Sequence, residues 1–319
     1  MDETPEVQVN GYAAQNESIL KLARQRGCDR PIEEVVRGLA REKLAEAEAI
    51  LREIDEEWSP PPFDPLLVAQ ALGIRCAPVK EPWLDDAMIF VQEGTPTILF
   101  RQQRSKARTH FNIFHEIAHT LFPDYQHNAL YQHSRRPRLF EPEGQLEYLC
   151  DIAAAEFLMP LDLFCQDLVD KGFGAGCVDA LCSRYGASME AVCLRMVESN
   201  LEDCALVLLE HRRQRPQRQR QDLELPPDAT PPVQKNIRVV YSAPSRRLRE
   251  QKLFIPPHLA VERRSCIHQA ARSKKLVTGE ECLDLGRGQS QLFYIEALAM
   301  TSRPRRHGRN PVLAFFYPR

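Results

Sequence analysis

FNIFHEIAHTLF, residues 111 to 122, constrains this chain more than any other short stretch in it. His115 and His119 stand four apart around Glu116 in an otherwise apolar run. Residues i and i+4 of a helix share a face about one turn apart, so both imidazoles reach one point in space. In H-E-x-x-H two neutral histidines at this spacing bind zinc, and the glutamate stays free to act as a base. A match this short also arises by chance, and the plain alternative is a helix with two surface histidines. Phe111, Phe114, Ala118, Leu121 and Phe122 form the side that seats such a helix in a core.

A catalytic zinc takes three protein ligands and keeps one position open. GQLEYLCDIAAAEFLMP, residues 144 to 160, reads as a second helix closed by Met159-Pro160. Glu147 on it is the candidate third ligand. Asp151, four residues on and on the same face, is placed to accept the outer N–H of a ligating histidine, which sets the tautomer. Glu156 competes for third place, but nine residues from Glu147 is about 900° of helix, half a turn out of phase. The two cannot face one ion together. Ala153, Ala154 and Ala155 allow close packing on a neighbouring helix.

At 319 residues the chain exceeds one ordinary domain. Residues 1–16 read as a disordered N-terminus. Helical spacing runs over 31–58 and ends at Ser59-Pro60-Pro61-Pro62, and a short helix follows from Asp64-Pro65 to Gly73. Residues 74–76, 87–92 and 97–101 read as strands, the last two joined by a turn. Residues 161–210 read as helical throughout, with Gly186 and Ser188 linking two helices in a helix-turn-helix-like arrangement. Residues 211–235, basic and then proline-rich, read as a linker. Strand patterns at 237–241, 292–299 and 312–317 surround a helical stretch at 257–275, an α+β module over 236–319. The last two strands are expected to pair as a hairpin. The fold class is α+β, mainly helical before the linker.

The net charge of −2 conceals a split. Residues 1–210 hold 20 Lys and Arg against 35 Asp and Glu, while residues 211–319 hold 22 against 9. An acidic body with a basic module points to a polyanion or an acidic partner. Arg246, Arg247, Arg263, Arg264, Lys274, Lys275, Arg305 and Arg306 sit among Phe254, Phe293, Tyr294 and Phe316. Cations for phosphates and aromatic faces for bases are what single-strand nucleic-acid binding uses, whereas the alternative is a solvated charged face over an aromatic core. The ten cysteines include no C-x-x-C pair, which excludes a zinc ribbon and leaves buried thiols as the simplest reading. No apolar run approaches the about 18 residues of a membrane span. MDETPEVQVN lacks the features of a signal peptide, so a cytoplasmic location is expected.

HEIAHTLFPD, followed by E-x-x-C-D-x-x-A-A-x-F-L-M-P, resembles the ImmA/IrrE group of bacterial zinc metallopeptidases. PPFDPLLVAQALGI and the paired strands ahead of the motif are similar too, so the likeness covers about residues 60–200. It implies a mainly helical, zincin-like metallopeptidase domain over 17–160 with a small antiparallel sheet. The helix-turn-helix-like segment, the linker and a GAF-like sensor domain over 236–319 would follow. It implies Zn2+ held by His115, His119 and Glu147, with Glu116 as general base. The family usually has Asn where this chain has Asp151; both accept a hydrogen bond.

The resemblance further implies a regulatory endopeptidase that cleaves a helix-turn-helix repressor after DNA damage or phage infection. The branch that accompanies CBASS anti-phage operons, the CapP proteases, fits the size and layout best. Single-stranded DNA is the expected activator, through the basic module. The alternative is a DNA-binding regulator with a structural metal site. Tyr125, His127, Tyr131 and His133 all remain open as donors to a developing oxyanion, and Cys76 is a candidate inhibitory fourth ligand.

Overall fold

The computed structural model describes residues 7–27, 30–80, 84, 86–102, 105–128, 138–213, 235–286, 288–301 and 310–319. It opens on a hairpin of β1 (Gln8–Val9) and β2 (Tyr12–Ala13), turned by Asn10 and Gly11 at φ 48° and 82°. Asn-Gly accepts two positive φ values at low cost, which makes it a hairpin turn. The reading of residues 1–16 as disordered is therefore corrected for 7–16. Val9 is fully buried, and the Gln145 amide holds the backbone at Ala13 and Gln15.

Asn16 Oδ1 accepts the Ser18 and Ile19 N–H groups and so starts α1 (Glu17–Arg26), which buries Ile19, Leu22 and Ala23. α2 (Ile32–Ile54) buries Val36, Leu39, Ala40, Leu44, Ala47 and Leu51, the stripe its spacing predicts. α3 (Pro65–Ala71) is capped by Asp64. β3 (Arg75–Val79), β4 (Ala87–Gln92) and β5 (Thr95–Arg101) then form a sheet in the order β3-β5-β4. β4 and β5 are an antiparallel hairpin, but β3 runs parallel to β5. The small sheet is thus mixed rather than antiparallel. β5, with Thr97, Ile98 and Phe100 buried, takes the protected centre and leaves β3 the outer, parallel position.

α4 (Lys106–His119), the four-residue α5 (Tyr125–Asn128) and α6 (Pro142–Leu158) follow. α4 and α6 pack face to face, with Phe114 stacked on Phe157 at 5.7 Å and Ala153 and Ala154 fully buried. Gly144, in the first turn of α6, has no room for a side chain, because a Cβ there would run into the Arg138 carbonyl. Gly144→Ala is expected to cost about 1–3 kcal/mol through this overpacking. At about 2–4 °C per kcal/mol for a body of this size, a thermal melt should fall by several degrees.

α7 (Leu161–Lys171), a 3-10 turn (Ala175–Cys177), α8 (Val178–Tyr185) and α9 (Met189–Glu198) lead into β6 (Ala205–Arg213). Gly186 turns between α8 and α9 at φ 62°. β7 (Lys235–Pro244), α10 (Arg246–Glu250), α11 (Cys266–Ser273), β8 (Val277–Gly286), β9 (Gln289–Ala299) and β10 (Val312–Pro318) complete the chain. The chain divides into two compact units, 1–164 with 180–188, and 165–179 with 189–319.

In the second unit β7-β6-β10-β9-β8 form one antiparallel sheet. One face, with Val207, Leu209, Val239, Ile295 and Phe316, packs on Leu248, Ile255, Ile267 and Ala270 from the α10–α11 layer. β9 and β10 pair as expected from the sequence, but three other expectations change. Residues 205–210 are strand rather than helix, because ALVLL is an unbroken apolar run that periodicity cannot assign. The stretch read as a linker therefore joins two neighbouring strands, paired from Ala205↔Pro244 to Arg213↔Lys235. The helix expected over 257–275 contracts to Cys266–Ser273, begun by the Ser265 side chain accepting the His268 N–H. Among the described residues no helix is long and apolar enough to cross a membrane.

Candidate metal centre

Ser105 Oγ accepts the Arg108 N–H at the start of α4, and the helix runs unbroken through His119. Ile113, Phe114, Ile117 and Ala118 seat it in the core. His115 and His119 stand a turn apart with ring centres separated by 5.1 Å. From α6, Glu147 reaches both, with Oε2 3.0 Å from His115 Nε2 and Oε1 3.6 Å from His119 Nε2. One ligand atom from each of the three side chains lies within 4.8 Å of the other two. Two imidazole nitrogens and a carboxylate oxygen make a donor set suited to zinc. Asp151 Oδ1 lies 2.9 Å from His115 Nδ1. An Nδ1–H donated to Asp151 leaves Nε2 as the free lone pair at the point of convergence.

Glu116 is buried, and its carboxylate accepts a hydrogen bond from the Ile89 N–H of β4. Burial pushes this carboxyl up to about 7, with His115 opposing the shift and Glu147 adding to it. Burial, reinforced by His115, pushes His119 down to about 4, so its ring is neutral and able to ligate. Burial would depress His115 too, yet its hydrogen bonds to Asp151 and Glu147 carry it well above the ordinary value.

The structure brings together His115, His119, Glu147 and Asp151, and places Glu116 between the two histidines on the same helix. Glu156 lies on the other side of α6, paired with Arg41, as the helical phase requires. The Ile89 amide is a contact that residue types could not reveal, because a main-chain donor carries no signal beyond its place in an edge strand. Tyr125 lines a depression with Thr120, Phe122 and Asp124 whose walls include none of the three donors. The His127 side chain, Tyr131 and His133 lie outside the described residues. Cys76 is on β3, the far edge of the sheet from β4, and does not join the donor group. Burial pushes its thiol up to about 11, away from the thiolate a metal ligand needs.

In the second unit Arg246 and Arg247 on α10, Arg263 and Arg264 ahead of α11, and Lys274 and Lys275 after it are all exposed. Arg246 pairs with Glu250 and Arg247 with Asp203. Arg305 and Arg306 lie outside the described residues. Phe293 and Phe316 are fully buried core residues rather than stacking platforms, while Phe254 is 61% exposed.

This geometry coincides with a match in sequence. Residues 70–197 match the family model of peptidase family M78, the IrrE N-terminal-like domain. The chain carries a domain of the ImmA/IrrE family. The matched stretch holds α4 and α6, and so every residue of the donor group. No curated protein sequence matches the chain. Among solved structures, a Mycobacterium tuberculosis transcriptional regulator aligns over 91% of this chain and 82% of its own, with a TM-score of 0.50 and 13% identity. At that identity the likeness is one of fold alone. The ImmA/IrrE assignment therefore rests on the domain match and on the residues it contains.

Proposed function

We propose that the chain is a regulatory zinc endopeptidase that cuts a helix-turn-helix repressor. The observation that carries this reading is the convergence of His115, His119 and Glu147 with the buried Glu116 beside them. A structural zinc site is closed by four ligands and has no use for a base. His115, His119 and Glu147 would hold the ion, which when bound supplies Lewis-acid polarisation of the scissile carbonyl and a more acidic water. Asp151 fixes the His115 ring. Glu116 takes a proton from water at its carboxylate and returns one to the leaving amine. A carboxyl held near 7 by burial suits both halves of that task. Among the described residues β4 pairs only with β5 and so lies at the edge of its sheet, where an extended substrate can add along it beside Glu116.

The antiparallel sheet of the second unit, with helices packed on it, supports a GAF-like sensor. The exposed basic residues of the α10–α11 layer support single-stranded DNA as activator, in a cytoplasmic protein controlling a stress or CBASS-type anti-phage operon. The second reading, a DNA-binding regulator with a structural metal, needs a helix that shows its side chains to a groove. α9 instead buries Val192, Cys193, Arg195, Met196 and Val197, and its Glu190 accepts the Tyr241 hydroxyl. The deciding experiment incubates the purified chain with the helix-turn-helix protein encoded beside its gene. Cleavage should stop with a zinc chelator, return with added Zn2+, and rise with single-stranded DNA in a salt-dependent way. Stoichiometric zinc without cleavage under any of these conditions would favour the structural site.

A further inference from the structure

The face of α6 turned away from the metal centre carries a stripe of Gln145, Leu149, Ile152 and Glu156, spaced four, three and four. Leu149 and Ile152 are ordinary core residues, but the two ends of the stripe are polar, and both are 0% exposed. At one end Gln145 Oε1 accepts the Gln15 N–H at 2.9 Å, and Gln145 Nε2 donates to the Ala13 carbonyl at 2.9 Å. The amide thus reads the backbone of residues 13–15 as a neighbouring strand would. Asn16 Nδ2 adds a bond to the Pro142 carbonyl at 3.3 Å. At the other end Glu156 Oε1 meets Arg41 Nε of α2 at 2.9 Å.

Buried polar groups cost free energy unless paired, so both ends of the stripe must be satisfied together. Sliding α6 by one turn, about 5.4 Å, would orphan both. The same slide would carry Glu147 out of its 3.0 Å contact with His115. We propose that Gln145, gripping the N-terminal segment 13–16, is a positioning residue for the metal centre. It fixes the axial register of α6 and thereby the place of the Glu147 carboxylate. Gln145 precedes Glu147 by two residues, about 200° around the helix, so it acts through the backbone and touches no reacting atom. The N-terminal hairpin, on this account, belongs to the support of the site although it contributes no ligand. The inference rests on the metal-centre reading above.

Co2+ binding to the chelator-stripped full-length protein tests it. Affinity is read by competition with a chromophoric chelator, and ligand geometry by the visible absorption of bound Co2+. Gln145→Ala is expected to weaken Co2+ binding about tenfold and to change the band intensities, the order of effect known for outer contacts to metal sites. Gln15→Pro removes the N–H that Gln145 accepts without altering α6, and should shift both readouts in the same direction. A purely structural role would lower the melting temperature and leave the spectrum of the folded protein unchanged. Native affinity and spectrum in Gln15→Pro, and in Gln145→Ala if it folds, would overturn the proposal. If the native chain binds no Co2+, or Glu147→Ala binds it as well as the native chain, the metal-centre reading itself has failed and takes the proposal with it.

Discussion

Glu116→Gln is expected to lower peptide hydrolysis about a thousandfold, within the range for loss of a general base, while zinc content stays at the native level. The substitution keeps the shape of the side chain and an oxygen that can accept the Ile89 N–H. The donor atoms of His115, His119 and Glu147 are untouched. What disappears is the ability to take up a proton, because an amide oxygen is not a base at neutral pH. Cleavage rates and zinc content measured on the same preparation separate the two roles. A variant that cleaves within tenfold of the native rate would place the base elsewhere. A variant that also loses its zinc would show that Glu116 holds the site together instead of serving the chemistry.

Glu156→Ala carries the largest expected effect on stability. The carboxylate is fully buried and meets Arg41 Nε at 2.9 Å, the Leu161 N–H at 3.1 Å and Arg37 Nη1 at 3.7 Å. Its removal leaves a cavity, an unpaired Leu161 amide and two arginines without their shared counter-charge. Breaking a buried pair from one side costs about 3–5 kcal/mol; with Arg41 itself 44% exposed the low end of that range is expected, a fall of about 10 °C in melting temperature for a body of this size. Asp162→Ala is the contrast. Asp162 is 78% exposed and its 3.4 Å pair with Arg41 is a surface one, so the expected cost is at most about 1 kcal/mol. Equal shifts in the two variants would mean that burial is not what gives Glu156 its weight.

The donor residues were legible because helical geometry is local. Once 111–122 and 144–160 read as helices, the four-residue spacings put His115 with His119 and Glu147 with Asp151, and phase alone separated Glu156 from Glu147. β4 and β5 were legible for a similar reason, since a short turn forces neighbouring strands to pair. What failed in the sequence reading was non-local. ALVLL at 205–209 fits a buried helix or a buried strand equally well, and only pairing with β7 and β10 decides it. β8, with its alternating exposed positions, offered too little apolar signal to be read as a strand at all. Residues 7–16 look like a polar tail until a buried glutamine 130 residues beyond Gln15 takes hold of them.

The sequence by itself determined which side chains share a helix face: a helix that must present two histidines and a glutamate together, and a second helix with a carboxylate in phase to meet them. Tertiary structure decided how closely they meet, which edge strand hands its amide to Glu116, and what lies behind α6 to keep Glu147 in place. The physical reason is range. Spacing along one helix is set by backbone geometry a few residues at a time, whereas the register between helices depends on packing and hydrogen bonds between residues far apart in the chain. No local pattern encodes that register.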